Sequence, residues 1–344
     1  MRRRPSVGRG RRDWDESDVR VRPPRRGTRP RTKERPTHDD AEFGMVVSKD
    51  RGRWGVVLDG SDPHSTPLVC MRARELGRTA IVVGDRVGVV GDTSGNPGTL
   101  ARIVRLEDRT SVLRRTADDT DPYERIVVGN ARQLLIVSAV ADPPPRSGFV
   151  ERALIAAFVG GLKPILCLTK SDLADPSEFA AEFRDLDVPV VICGINDPLD
   201  PIREIVDHSV TALIGHSGVG KSTLVNRLVP DADRATGVVS GVGKGRHTST
   251  QSVALPLPDG GWIIDTPGIR SFGLAHVDAD SVVGVFGDLA NAAADCPRGC
   301  THAGPPADPE CALDTLVGAS ARRVTAVRNL LVALRSNDDW ERQE

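Results

Sequence analysis

The sequence predicts an α/β domain built around a phosphate-binding loop, with a small β-barrel before it and a metal-binding, α-rich module after it. Three observations predict this. Residues Gly215-His216-Ser217-Gly218-Val219-Gly220-Lys221-Ser222 match G-x-x-x-x-G-K-[ST] between an apolar run and a helical pattern. Short β-rich runs separated by Gly-rich turns fill residues 43–113. Cys296, Cys300, His302 and Cys311 fall within sixteen residues of a Gly- and Pro-rich stretch. In chain order the parts are a basic tail (1–38), the barrel (39–115), the α/β domain (116–278) and the metal module with its C-terminal helix (279–344).

A chain of 344 residues is long enough for two or three domains, and 39 % hydrophobic with 27 % charged residues suits a soluble globular protein. No apolar stretch approaches bilayer-spanning length and no signal-peptide core is present. The expectation is a monomer in a reducing cytoplasm, with no membrane partner. The net charge of −1 hides an asymmetry: residues 1–36 hold fourteen Arg or Lys against five Asp or Glu, so the remainder is acidic. With five prolines and few apolar residues, that tail cannot bury a core and should be disordered. It reads as a contact to RNA backbone, or blandly as a solubilising leader or a start site placed too early. Asp13, Asp15, Glu16 and Asp18 break the acid-poor pattern of an organellar targeting peptide.

In the barrel segment, strands are expected at Trp54–Leu58, Leu68–Met71, Thr79–Val83, Arg86–Val90 and Leu100–Val104. Phe43 and Trp54 are its only aromatics. Nucleic-acid contact there should go through backbone and shape, using Arg72, Arg74, Arg78, Arg102, Arg105 and Arg109, and not through base stacking.

The α/β domain carries the chemistry. Val210–Ile214 reads as a buried strand and Ser222–Leu228 as a helix, so the loop between them has the strand–helix context that phosphate binding needs. Glycines at 215, 218 and 220 let successive N–H groups turn toward phosphate oxygens, and the helix N-terminus adds partial positive charge. Lys221 should reach the β- and γ-phosphates, making it the principal catalytic cation. The Ser222 hydroxyl, followed by Thr223, should ligate Mg²⁺. A second apolar strand, Lys163–Thr169, ends in Thr169-Lys170-Ser171-Asp172. A carboxylate at Asp172 can accept from guanine N1–H and the exocyclic amine together, which adenine cannot offer, while the Lys170 stem lies along the base. The pattern therefore points to GTP and GDP. Asp265-Thr266-Pro267-Gly268 ends a third strand. Asp265 would hold Mg²⁺ through water, and the Gly268 N–H would sense the γ-phosphate. Gly241–Thr250 has the composition of a mobile switch loop, where one of Thr248, Ser249 or Thr250 should complete Mg²⁺ ligation. Ile269 stands where many GTPases carry a water-orienting glutamine. His247 is the candidate replacement, the alternative being a histidine that touches only solvent or phosphate.

In an ordinary GTPase the guanine motif follows the phosphate loop; here it precedes it by about fifty residues. This order, with G-x-S-G-V-G-K-S-T-L-x-N, G-R-H-T-x-T and D-T-P-G-[hydrophobic]-R, resembles the circularly permuted P-loop GTPases, specifically the RsgA (YjeQ) family, over residues 40–335. Val83-Gly-Asp-Arg-Val87 resembles that family's barrel signature, and the resemblance implies an OB-fold. It further implies GTP hydrolysis stimulated by the 30S subunit, contact with 16S rRNA and a role in late maturation of that subunit. Thr169 stands where the family usually has Asn; its hydroxyl can still tie the base loop to the phosphate loop. Val190–Gly194 is the nearest candidate for the loop behind the base.

Cys70, Cys167 and Cys193 sit singly in apolar runs and read as buried small hydrophobes. Cys296, Cys300, His302 and Cys311 read as a closed tetrahedral Zn²⁺ site, against a disulfide pair that a reducing compartment disfavours. The family shares the ligand order, with a first gap one residue longer and a last gap shorter than here. Val324, Val327, Leu330, Leu331 and Leu334 have helical spacing, with Arg322, Arg323, Arg328 and Arg335 interleaved and available to face RNA. Two competing readings stand: a nucleotide-gated RNA-binding protein with little hydrolysis of its own, and a P-loop ATPase or kinase.

Overall fold

The computed structural model describes residues 38–96, 98–116, 125–230, 252–266 and 273–336. The basic tail, His247, Thr248, Ser249, Thr250, Gly268 and Ile269 lie outside the described residues.

Strands β1 (Glu42–Asp50), β2 (Arg53–Leu58), β3 (Leu68–Arg72), β4 (Arg86–Gly91) and β5 (Ala101–Leu106) form the barrel. Its order is β1-β2-β3-β5-β4, and β4 returns to pair with β1, so the sheet closes on itself. Val46, Trp54, Val56, Cys70, Val87, Val89 and Ile103 fill the interior. One expected strand is absent here, and one unexpected strand is present. Thr79–Val83 forms no strand: the Trp54 indole donates to the Ile81 carbonyl (3.2 Å), and the Val82 N–H donates to the Asp85 carboxylate (2.8 Å). Side-chain partners thus satisfy a backbone that would otherwise need a ladder. Conversely, β1 escapes the sequence pattern because its register shifts between Val46 and Ser48, which lets consecutive Val46 and Val47 both be buried and spoils the alternation.

The joint between barrel and α/β domain is built on Gly84 and Asp85. Asp85 is fully buried and receives two bonds from Arg109 (2.6 and 2.8 Å), so Arg109 is a structural partner and not the free RNA contact expected of it. Gly84 has φ +90°, and a Cβ there would sit 2.0 Å from the Gly129 carbonyl oxygen. Neither the backbone conformation nor the space admits a side chain. Gly84→Ala should therefore lower stability by about 3 kcal/mol, read as a shift of the urea midpoint; an unchanged midpoint would contradict this close approach.

A hairpin of β6 (Val112–Arg115) and β7 (Arg125–Gly129) leads into the main sheet. Its strands are β8 (Gln133–Ala139), β9 (Lys163–Thr169), β10 (Val190–Cys193), β11 (Val210–Gly215), β12 (Val253–Pro256) and β13 (Trp262–Asp265), in the order β10-β9-β8-β11-β13-β12. All pairings are parallel except β12 with β13, and β12 also touches β1 through Ser48 and Val253, joining sheet to barrel. Parallel strands buried on both faces read as continuous apolar runs, as β8 and β9 do.

One face of this sheet packs Leu134, Ile136, Leu166 and Ile214 against helix α1 (Ser147–Val159), the short helix α2 (Ser177–Ala181) and the C-terminal module. The other packs Leu135, Val137, Ile165 and Leu213 against α3 (Asp200–Val206) and α4 (Lys221–Leu228). The helix Ala319–Arg335 buries Val324, Val327, Leu330 and Leu331, as its spacing predicts. Its arginines are engaged within the protein. Arg322 pairs with Asp185, Arg323 with Asp187 and Asp288, Arg328 with Asp314, and Arg335 donates to the Thr301 carbonyl. No helix among the described residues is long and apolar enough to cross a membrane.

Candidate nucleotide-binding site and metal centre

The phosphate loop leaves β11 at Gly215 and enters α4 at Lys221. Gly218 and Gly220 take φ of +82° and +88°, the left-handed turns that aim successive N–H groups at one point. Beside it, β9 ends at Thr169, on the parallel neighbour of β8, so both loops lie at the carboxyl edge of the sheet. The buried Thr169 hydroxyl donates to the Val219 carbonyl (2.6 Å), with the Ser138 carbonyl 3.3 Å away. The base motif and the phosphate loop are thus stitched together across fifty residues of sequence.

Around that stitch lie Lys170, Asp172, Lys221 and Asp265. Lys170 adopts φ +60° and its ammonium donates to the Asp142 carbonyl. The Ile195 N–H donates to Asp172 Oδ1 (3.1 Å), placing the turn after β10 against the carboxylate. The Lys221 ammonium lies against Asp265 Oδ1 at the end of β13, and the buried Thr266 hydroxyl donates to the Leu213 carbonyl (2.5 Å). Lys221, at the start of α4, and Asp265 thereby meet at one end of the sheet. The Asp265 carboxylate and the Ser222 hydroxyl, next along α4, are oxygen donors of the kind that suits Mg²⁺ beside a polyphosphate. His216 is held edge-on to Phe149, ring centroids 5.3 Å apart, with Arg146 at 3.3 Å from its Nε2.

The second centre lies in the C-terminal module. One ligand atom from each of Cys296, Cys300, His302 and Cys311 falls within 4.8 Å of every other. His302 Nδ1 is 3.6, 3.7 and 4.0 Å from the three sulfurs, the spacing of donors around a single small cation. His302 Nε2 meets Asp280 Oδ1 at 2.8 Å, which leaves Nδ1 as the ligating nitrogen. Asp308 accepts from the Thr301 N–H (3.1 Å), the Thr301 hydroxyl (2.6 Å) and the Ala303 N–H (2.9 Å). That carboxylate organises the long gap before Cys311. The three sulfurs and one imidazole fit Zn²⁺ by donor type and arrangement. Burial pushes the Cys70 and Cys167 thiols up to about 12, as inert packing residues require.

Comparison with known proteins decides the family. The RsgA GTPase model matches residues 106–275. The small ribosomal subunit biogenesis GTPase RsgA of Gemmatimonas aurantiaca is 36 % identical over 284 residues, covering 80 % of this chain and 91 % of the relative. The chain belongs to the RsgA GTPase family. The RsgA of Chlorobaculum parvum is 32 % identical over 307 residues, covering 86 % and 98 % of the two chains. Among solved structures, YjeQ from Thermotoga maritima superposes with a TM-score of 0.62 at 22 % identity, covering 86 % of this chain and 99 % of that one. YloQ, a circularly permuted GTPase, gives 0.60 at 20 % identity, covering 90 % and 98 %. This RsgA-family GTPase has the permuted fold that its motif order predicts.

Several site residues of this RsgA-family member were not legible in advance. Asp142 and Phe149 follow β8 and carry no motif. Asp280 and Asp308 look like ordinary surface acids until folding brings them to His302 and the loop around it. Arg227, in the last turn of α4, reads only as a cation near a helix C-terminus.

Proposed function

We propose that this chain hydrolyses GTP on the 30S small ribosomal subunit during its late maturation, acting as a cytoplasmic monomer that contacts 16S rRNA. The observation that carries the reading is the Thr169–Val219 bond, which makes one pocket of a base motif and a phosphate loop met in reversed order. In that pocket Thr169, Lys170, Ser171 and Asp172 take guanine, with Asp172 accepting its N1–H and amine. Gly215 to Ser222 cradle the phosphates, and Lys221 neutralises charge that develops on the γ-phosphoryl group. Ser222, Asp265 through water and one of Thr248, Ser249 or Thr250 would hold Mg²⁺, which would supply further charge neutralisation when bound. Gly268 senses the γ-phosphate and His247 orients water. Cys296, Cys300, His302 and Cys311 hold one structural Zn²⁺. The exposed Arg74, Arg78 and Arg102 are among the barrel cations available to rRNA phosphates, whereas Arg72 donates to the Thr79 carbonyl (2.8 Å) and Arg105 lies 3.5 Å from Glu107.

Relatives named for small-subunit biogenesis support the partner. The test is GTP turnover with and without purified 30S particles. Stimulation of about tenfold or more is expected, as when a partner completes a GTPase site. An unchanged rate with subunits present would remove the subunit from the mechanism.

A further inference from the structure

We propose that Arg227 is a positioning residue for base recognition, locking the turn that holds Asp172 to the helix that begins at the phosphate loop. The inference rests on the reading of Asp172 as the guanine contact and adds a residue and a coupling to it.

The geometry is a chain of short contacts. Arg227 lies about two turns along α4 from Lys221. Its guanidinium donates to the Gly194 carbonyl (3.2 Å) and to the Asp197 carbonyl, and lies 3.6 Å from Cys193 Sγ. Those carbonyls belong to the two ends of one turn, which closes on itself through Gly194 N–H to Asp197 Oδ2 (2.6 Å). Ser171 Oγ reaches the same carboxylate at 3.4 Å. Between those ends, the Ile195 N–H fixes Asp172 Oδ1.

The turn is flanked by the buried Cys193 (4 % exposed) and Leu199 (6 %), but its middle is not packed: Ile195 is 55 % exposed and Leu173 beside Asp172 57 %. Polar ties hold the backbone between those flanks, and among the described residues the Arg227 fork is the one that reaches it from the phosphate-loop helix. A planar guanidinium serving two carbonyls gives geometric precision that a flexible ammonium cannot. Base recognition by a carboxylate needs that precision, because both of its guanine bonds depend on the same plane.

The test compares GDP and inosine diphosphate binding to the full chain. Inosine lacks the exocyclic amine, so the ratio of the two dissociation constants reports how well Asp172 is placed. Arg227→Ala should weaken GDP binding about tenfold and bring the ratio toward one, as loss of charge-assisted bonds to the turn implies. Arg227→Lys, which can serve one carbonyl, should fall between. A purely structural role would weaken both nucleotides alike and leave the ratio as in wild type; that result overturns the inference. If Arg227→Ala does not fold, Arg227→Lys carries the same comparison. A wild-type protein that does not distinguish the two nucleotides would instead sink the guanine assignment of Asp172 itself.

Discussion

Replacing Lys221 by alanine is expected to lower GTP turnover at least about a hundredfold without unfolding the protein. The side chain is 12 % exposed and lies against Asp265 at the end of β13, where the phosphates would meet the loop. Two things are lost together. The first is the cation that offsets charge on the transferring phosphoryl oxygens, a contribution of about 3 kcal/mol for one well-placed donor. The second is the neutralising partner of Asp265, whose carboxylate then repels the incoming triphosphate. The fold should survive because the packing of α4 rests on Leu224, Val225 and Leu228, none of which the substitution touches. Single-turnover hydrolysis at saturating GTP, with circular dichroism as control, checks this. A second comparison separates the competing reading. Should Lys221→Ala keep full 30S association and cellular function while hydrolysis is lost, the protein works as a nucleotide-gated binder. Loss of function along with hydrolysis favours the enzyme.

The permuted α/β domain was legible because its signals are local and chemically constrained. G-x-x-x-x-G-K-S needs its glycines for backbone reasons, and the parallel strands that precede each loop are buried on both faces and so run apolar without interruption. The zinc-type ligand set was legible for the same reason, since three thiols and an imidazole have few other uses at that spacing. The barrel was less so. Its first strand hides behind a bulge, and Thr79–Val83 imitates a strand while its backbone is served by Trp54 and Asp85. Charged residues were the least readable. Arg109 and the arginines of the C-terminal helix look like RNA contacts in sequence, yet each finds an acid or a carbonyl that folding alone brings near. Periodicity reports which face a residue takes. It does not report which distant group waits there.

Loss of the proposed Zn²⁺ should weaken more of this protein than its own module. Cys311→Ser, or prolonged chelation, is expected to reduce stability by about 3–5 kcal/mol and to loosen the docking of helix Ala319–Arg335 on α1. Cys311 and His302 are each 3 % exposed, and desolvation with neighbouring sulfurs pushes the Cys300 thiol up to about 12. Three sulfurs and one imidazole gathered within 4.8 Å of one another suit a shared cation, and the loop from Cys296 to Cys311 should depend on it for its shape. Its stretch of Ala303-Gly-Pro-Pro-Ala offers little apolar burial as a substitute. The effect should spread along two routes. Arg328 donates to the His302 carbonyl (3.0 Å) from the C-terminal helix, and that helix shares its buried surface with α1 and the main sheet. Asp280, only fifteen residues beyond Asp265, holds His302 Nε2 from the other side. Metal analysis should find one zinc per chain, and thermal unfolding with and without chelator should differ by several degrees. A metal-free preparation that melts where the untreated protein does would mean that the four side chains are merely neighbours. Intermediate loss, with GTP binding kept and 30S stimulation abolished, is the expected pattern if the module's task is to join the end of β13 to the ribosomal partner.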